Sequence, residues 1–196
     1  NVMIMGSGSE EAVERSQIDS SVATIAASSI PGIKEVAGEL YVSPEIHMGL
    51  PLRERADSED DLNAVMRGVR EAALLVHPEV EIVEGRFPRA GEEELMVGSL
   101  AATRLGVPDE RLAIGETLYF DERSWEIVGR FSAPNTVMDA EIWVPITDLQ
   151  IATKRESSVS CVVVSLEGGT YDDVDLFAKS RLDLEISAVR EREYYS

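Results

Sequence analysis

Short apolar runs separated by glycine, proline and carboxylate stretches recur along the whole chain, and their spacing predicts alternating strands and helices. Residues 2–5 read as a buried strand that Gly6-Ser7-Gly8-Ser9 breaks. Ile18, Val22, Ile25 and Ser29 fall at helical spacing, with Ser16 as N-cap and Asp19 in the first turn; Pro31-Gly32 stops that helix. From 33 to about 48 the pattern favours extended chain interrupted at Pro44. The charged stretch 53–61 reads as a solvated loop.

Further on, 62–69 predicts a strand whose tail, Met66-Arg67-Gly68-Val69, alternates imperfectly, followed by a helix at 71–76 and a strand at 80–83. A strand at 95–98 feeds a helix carrying Ala101 and Leu105 and closed by Gly106. The period then changes. Strands are predicted at 117–120, 124–131 and 141–145, with Asp121-Glu122-Arg123 as a hairpin turn. A helix at 147–152, a strand at 159–166, a helix at 171–180 and a strand at 184–188 complete the pattern. This mixed order with a strand-rich middle points to an α+β fold rather than a doubly wound parallel sheet.

Composition narrows the function classes. The net charge of −19 excludes an extended basic track, so nucleic acid is not an expected partner, and an anionic membrane surface would repel the chain. Lys34, Lys154 and Lys179 are the only lysines, and the acidity reads as a habitat or solubility trait rather than a cation-binding one. No run approaches the roughly 18 apolar residues of a membrane span, and no secretory signal opens the chain. The chain reads as soluble and as a piece excised from a longer polypeptide, because it begins at Asn1 directly before an apolar strand.

No motif for chemistry survives inspection. Gly6-Ser7-Gly8 lacks the third glycine of a dinucleotide loop, Glu11 standing there, and Glu10, Glu11 and Glu14 would repel phosphate. His47 and His77, the only histidines, lie near no nucleophile pattern and read as surface or turn residues. Glu59-Asp60-Asp61 and Glu92-Glu93-Glu94 lack the spacing of a calcium loop and read as solvated turns. Trp125 and Trp143 read as half-buried strand aromatics, and Cys161, the one cysteine, as a small core residue. The expectation is therefore no catalytic residue, no metal ligand and no cofactor.

A series of positions carries a resemblance: Ile30-Pro31-Gly32-Ile33, Val42-Ser43-Pro44, Ile82 to Pro88, Gly91 to Gly98, Ala101, Leu105-Gly106, Ile114 to Leu118, Trp125 to Phe131 and Ile142 to Ile146. Together they span most of the chain, and the series resembles the MacB-like periplasmic core domain of bacterial ABC-transporter permeases. The resemblance implies a porter-like subdomain of two strand-helix-strand units from both chain ends (1–70 and 147–196) and a smaller strand-rich insert (71–146). It further implies a non-catalytic extracytoplasmic domain at the periplasmic face of the inner membrane, placed between two membrane helices. Its implied partners are a cytoplasmic ATPase subunit reached through those helices, a second permease subunit, and an extracytoplasmic adaptor or cargo protein. On this reading both chain ends emerge on one side. The alternative, a free-standing extracytoplasmic ligand-binding module, predicts a deep, mostly apolar pocket.

Overall fold

The computed structural model describes all 196 residues. In chain order the elements are β1 (Val2–Gly6), β2 (Ile18–Asp19), α1 (Val22–Ser29), β3 (Glu35–Val36), β4 (Glu39–Leu40), β5 (Val42–Leu52) and β6 (Leu62–Val69). Next come α2 (Ala72–Val76), β7 (Glu81–Gly85), β8 (Glu94–Gly98), α3 (Ala101–Leu105), β9 (Thr117–Phe120), β10 (Arg123–Ser132) and β11 (Ile142–Pro145). The chain ends with α4 (Ile146–Ala152), β12 (Ser158–Val159), β13 (Cys161–Val164), α5 (Tyr171–Ser180), β14 (Ile186–Arg190) and α6 (Glu191–Tyr194). Strands and helices are mixed as the α+β expectation required.

The chain packs as two compact units, Asn1–Ile46 with Arg70–Val76 and Arg155–Ser196, and His47–Val69 with His77–Lys154. The sequence reading began the insert at 71. In the structure His47–Val69 belongs to the second unit, because β6 pairs in parallel with β11. Arg70–Val76 belongs to the first unit: Val76 is buried with Met3, Met5, Val13, Cys161 and Val163, and its carbonyl accepts from Asn1 Nδ2 at 2.6 Å.

In the first unit the strand order is β14-β1-β13-β5, all antiparallel. β1 is central and all five of its residues are buried, as its unbroken apolar run requires of a strand covered on both faces. Met3 and Met5 share a face with Cys161 and Val163, so the strand period of two sends Val2 and Ile4 to the other. α5 lies against β14 and β1. Its N-terminus is a capping box: Thr170 Oγ1 accepts from the Asp173 amide at 3.4 Å, and the Asp173 carboxylate accepts from the Thr170 amide at 2.9 Å. Thr170→Ala is expected to cost about 1 kcal/mol, read as a lowered melting temperature without loss of the folded spectrum.

Several local expectations are corrected here. Ser16 is not the N-cap of α1; its Oγ accepts from the Gly6 amide at 2.8 Å. Residues 18–19 form β2 against β12, and α1 starts only at Val22. Asp19 accepts from the Ser21 hydroxyl and amide, and those bonds hold its carboxyl below the ordinary range. Pro44 sits inside β5 opposite Val162 rather than interrupting it. The stretch after Ile33 is not one extended segment. It turns at Ala37 (φ 53°) and Gly38 (φ 81°), and that pair of positive φ values closes a tight β3–β4 hairpin. The last strand starts at Ile186, after a turn at Leu182–Leu184, and α6 follows it.

In the second unit the order is β5-β6-β11-β8-β10-β7, with β9 also on β10. The sheet is mixed: β10 runs parallel to β8 and antiparallel to β7 and β9. The expected turn between β9 and β10 forms with Asp121 and Glu122 both at positive φ. α3 and α4 lie against β6.

Candidate functional site

The residues that the sequence offered for chemistry divide into buried and exposed groups. Neither histidine is a surface residue: His47 is 6% and His77 2% exposed. His77 meets the Trp143 ring edge-on at 6.3 Å between centroids. The polar centre of the second unit is a pair the sequence reading did not single out. Arg67 Nε donates to Glu141 Oε1 at 2.7 Å and Arg67 Nη2 to Oε2 at 2.9 Å, both side chains being buried. Trp143 Nε1 donates to the same Oε1 at 2.9 Å. Burial pushes the Glu141 carboxyl up, but the Arg67 charge and hydrogen bonds, the nearby His47 charge and the Trp143 donor outweigh it, so the group stays below its ordinary value of 4.5. The only sequence signal for this pair was the imperfect alternation at Met66-Arg67-Gly68, an arginine where a core position was due.

The carboxylate runs are not equivalent. Glu59, Asp60 and Asp61 are exposed, and Asp61 pairs with Arg53 at 3.0 Å. Glu92 and Glu93 are exposed as expected, whereas Glu94 is buried and takes Arg86 through both oxygens, at 2.8 and 2.5 Å. Those hydrogen bonds, helped by the Arg89 amide, hold the Glu94 carboxyl below the usual range against the opposing effect of burial. This bidentate clamp ties the loop after β7 to β8. The Gly6 and Ser7 amides are committed within the fold: Gly6 to Ser16 and Ser7 to the Glu185 carbonyl at 2.9 Å. No phosphate cradle remains there.

Both tryptophans are core, not platforms. Trp125 stacks on Phe120 with centroids 4.4 Å apart and planes 5° apart, and its Nε1 donates to the Phe120 carbonyl at 3.0 Å. Trp143 is fully buried. Cys161 is buried in the first unit's core, as expected.

The features left for function lie at the two ends of β1 in the first unit. At one end Val2 pairs with Arg190, and the Glu191 amide donates to the Asn1 carbonyl at 3.2 Å. The first residues of the chain therefore lie beside the junction of β14 and α6. Ser165 Oγ donates to Asn1 Oδ1 there at 2.7 Å, and Ser165 also holds the stem of the β3–β4 hairpin. At the opposite end, beyond Gly6, lies an open groove of about 1140 Å³ walled by the β1–β2 connection, the C-terminal end of α5 and the turn before β14. Its charged groups are Arg15, Lys179, Arg181, Asp19, Asp183 and Glu185. Lys179 is paired with Asp175 and Arg181 with Asp183, so the groove mixes both signs, and apolar side chains such as Ile25, Leu182 and Leu184 share its lining. It is not an enclosed apolar cavity.

Residues 1–175 match the family model described as the MacB-like periplasmic core domain. The chain belongs to that family. It is an extracytoplasmic domain of a MacB-like ABC-transporter permease, and its fold recurs in solved structures. The periplasmic region of MacB from Actinobacillus actinomycetemcomitans superimposes with a TM-score of 0.69 at 12% identity, over 98% of this chain and 89% of that one. The extracellular domain of the ABC-type transporter YknZ from Gram-positive bacteria gives 0.65 at 14% identity, over 97% of this chain and all of the other (100%). No curated protein matches the chain significantly. No helix of this MacB-like domain is long and apolar enough to cross a membrane.

Proposed function

We propose that this MacB-like domain is a non-catalytic transmitter, carrying ATP-driven movement of its permease's membrane helices to a partner or cargo protein on the extracytoplasmic side. The observation that carries the reading is the pairing of Val2 with Arg190, which sets the N-terminal residues beside the strand that leads into the C-terminal helix at one end of β1, with the open groove at the other end. Two membrane helices joined to those ends would pull on one edge of a hydrogen-bonded sheet, and a buried central strand delivers that displacement without deforming. Coupling then requires that the partner bind the two states with different free energy. The first unit is the porter-like subdomain on this reading and the second is the insert. A cytoplasmic ATPase supplies the energy, and a second permease subunit completes the pair.

The test is replacement of residues 1–196 by a short flexible linker in the full permease, reconstituted with its ATPase. ATP hydrolysis is expected to persist and export or partner engagement to fall to background. Hydrolytic activity of the 196-residue chain itself, or unimpaired export without it, would overturn the proposal.

A further inference from the structure

Both strands of the β3–β4 hairpin stand fully exposed. All six residues from Glu35 to Leu40 are exposed, including two large apolar side chains, Val36 at 49% and Leu40 at 37% exposure. A two-stranded ribbon alone in water is marginal, yet this one is held firmly at its stem. The Lys34 amide donates to the Ser165 carbonyl at 2.9 Å, the Tyr41 amide to the Lys34 carbonyl at 2.9 Å, and the Ser165 amide to the Tyr41 carbonyl at 3.1 Å. Lys34 Nζ lies 4.8 Å above the Tyr41 ring. The stem therefore presents a preformed arm, and its strands pair only with each other.

The register puts Glu35 beside Leu40 on one face and Val36 beside Glu39 on the other. Each face thus offers one apolar side chain and one carboxylate, and residues 35–40 contain no cation. We infer that this hairpin is a docking arm that accepts, as a third strand, an extended segment of a separate protein in which basic and apolar residues alternate. Strand addition supplies main-chain hydrogen bonds for affinity, while the alternate side chains read the partner. A second copy of this chain fits poorly, because pairing two hairpins would bring carboxylates together within molecules that each carry −19. An anionic lipid surface is disfavoured by the same charges. The inference concerns the chain's own surface and does not need the transmitter reading to hold.

The test is an amide-shift titration of the ¹⁵N-labelled chain at about 0.15 M salt, where long-range surface attraction is largely screened. The probes are a peptide alternating lysine and valine, one alternating glutamate and valine, and phosphatidylcholine vesicles. The lysine–valine peptide is expected to shift residues 35–40 saturably and the glutamate–valine peptide to leave them unmoved. Val36→Ser with Leu40→Ser is expected to weaken binding at least tenfold. The core signals of β1 and β13 should not change, because neither side chain is part of the core. Glu35→Gln with Glu39→Gln keeps both apolar groups and is expected to abolish the preference for the basic peptide. Shifts scattered over the acidic surface and indifferent to these variants would overturn the inference. So would hairpin shifts caused by vesicles alone, or by raising the concentration of the chain without peptide.

Discussion

Arg67→Ala is expected to cost the chain about 3–5 kcal/mol of unfolding free energy, because it leaves the Glu141 carboxylate buried without its counter-charge. Urea unfolding followed by tryptophan fluorescence reads this directly, Trp143 being bonded to the same carboxylate. Removing both charges is expected to recover at least half of the loss. Arg67→Met with Glu141→Gln does so, since the introduced amide oxygen can still accept from Trp143 Nε1. The same pair gives acid stability a defined sign. The Glu141 carboxyl is lower in the folded chain than its ordinary 4.5, so its contribution is complete above that pH and is lost as pH falls through the folded value. The double variant should therefore unfold with a shallower acid limb than the parent. An acid limb of unchanged slope, or a loss below 1 kcal/mol for Arg67→Ala, would refute the assignment of this pair as the second unit's polar keystone.

The second large effect is expected at two glycines facing each other across β7 and β10. Gly129 pairs with Gly85, and Gly85 also has φ +71°. A Cβ on Gly85 would collide with the Val128 carbonyl, and one on Gly129 with the Arg86 carbonyl. Both obstacles are backbone, which cannot swing aside as a side chain can. Gly85→Ala and Gly129→Ala are each expected to cost roughly 3 kcal/mol or more, in the tail that only core or backbone conflicts reach. Gly91→Ala is the control. Gly91 has φ +81° but nothing within 4 Å of its would-be Cβ, so only the conformational term remains, about 1–2 kcal/mol. A loss at Gly85 no larger than at Gly91, or a negligible loss at Gly129, which has no positive φ, by thermal or urea denaturation, would show that close approach does not matter.

These glycines also show what the sequence could and could not disclose. Gly85 and Gly129 lie in the very stretches that carry the family resemblance, and nothing local to either announces the backbone that crowds it. The Pro31-Gly32 pair, expected only to stop a helix, packs so closely on Gly168 and Gly169 that a Cβ on Gly32 has no room. The family was legible from the ordered series of such stretches, although identity to the solved structures is only 12–14%. The α+β class was legible for a different reason: runs such as Val2–Gly6 and Cys161–Val164 are uniformly apolar, and their burial is complete. Long-range polar partnerships were not legible. Arg67 and Glu141 are 74 positions apart, and nothing local to either announces the other. The same holds for the groove, where Arg15 and Asp19 share a wall with Arg181 and Glu185. The hairpin was missed on a smaller scale. Ala37 at φ 53° is a residue rarely found there, so periodicity alone ran an extended segment through the turn.

The pairing of β1 has a consequence for how the polypeptide is made. Its neighbours are β13 and β14, which follow it far along the chain, so the central strand of the first unit leaves the ribosome long before either partner exists. At about 5–20 residues per second the wait is roughly ten to forty seconds. During that interval Val2, Met3, Ile4 and Met5, all buried in the finished fold, are an apolar strand with two unpaired edges. The second unit is complete once Lys154 has emerged and can close in that time. The first cannot, so β1 depends on whatever shields nascent chain outside the ribosome or along the export route until β13 and β14 arrive.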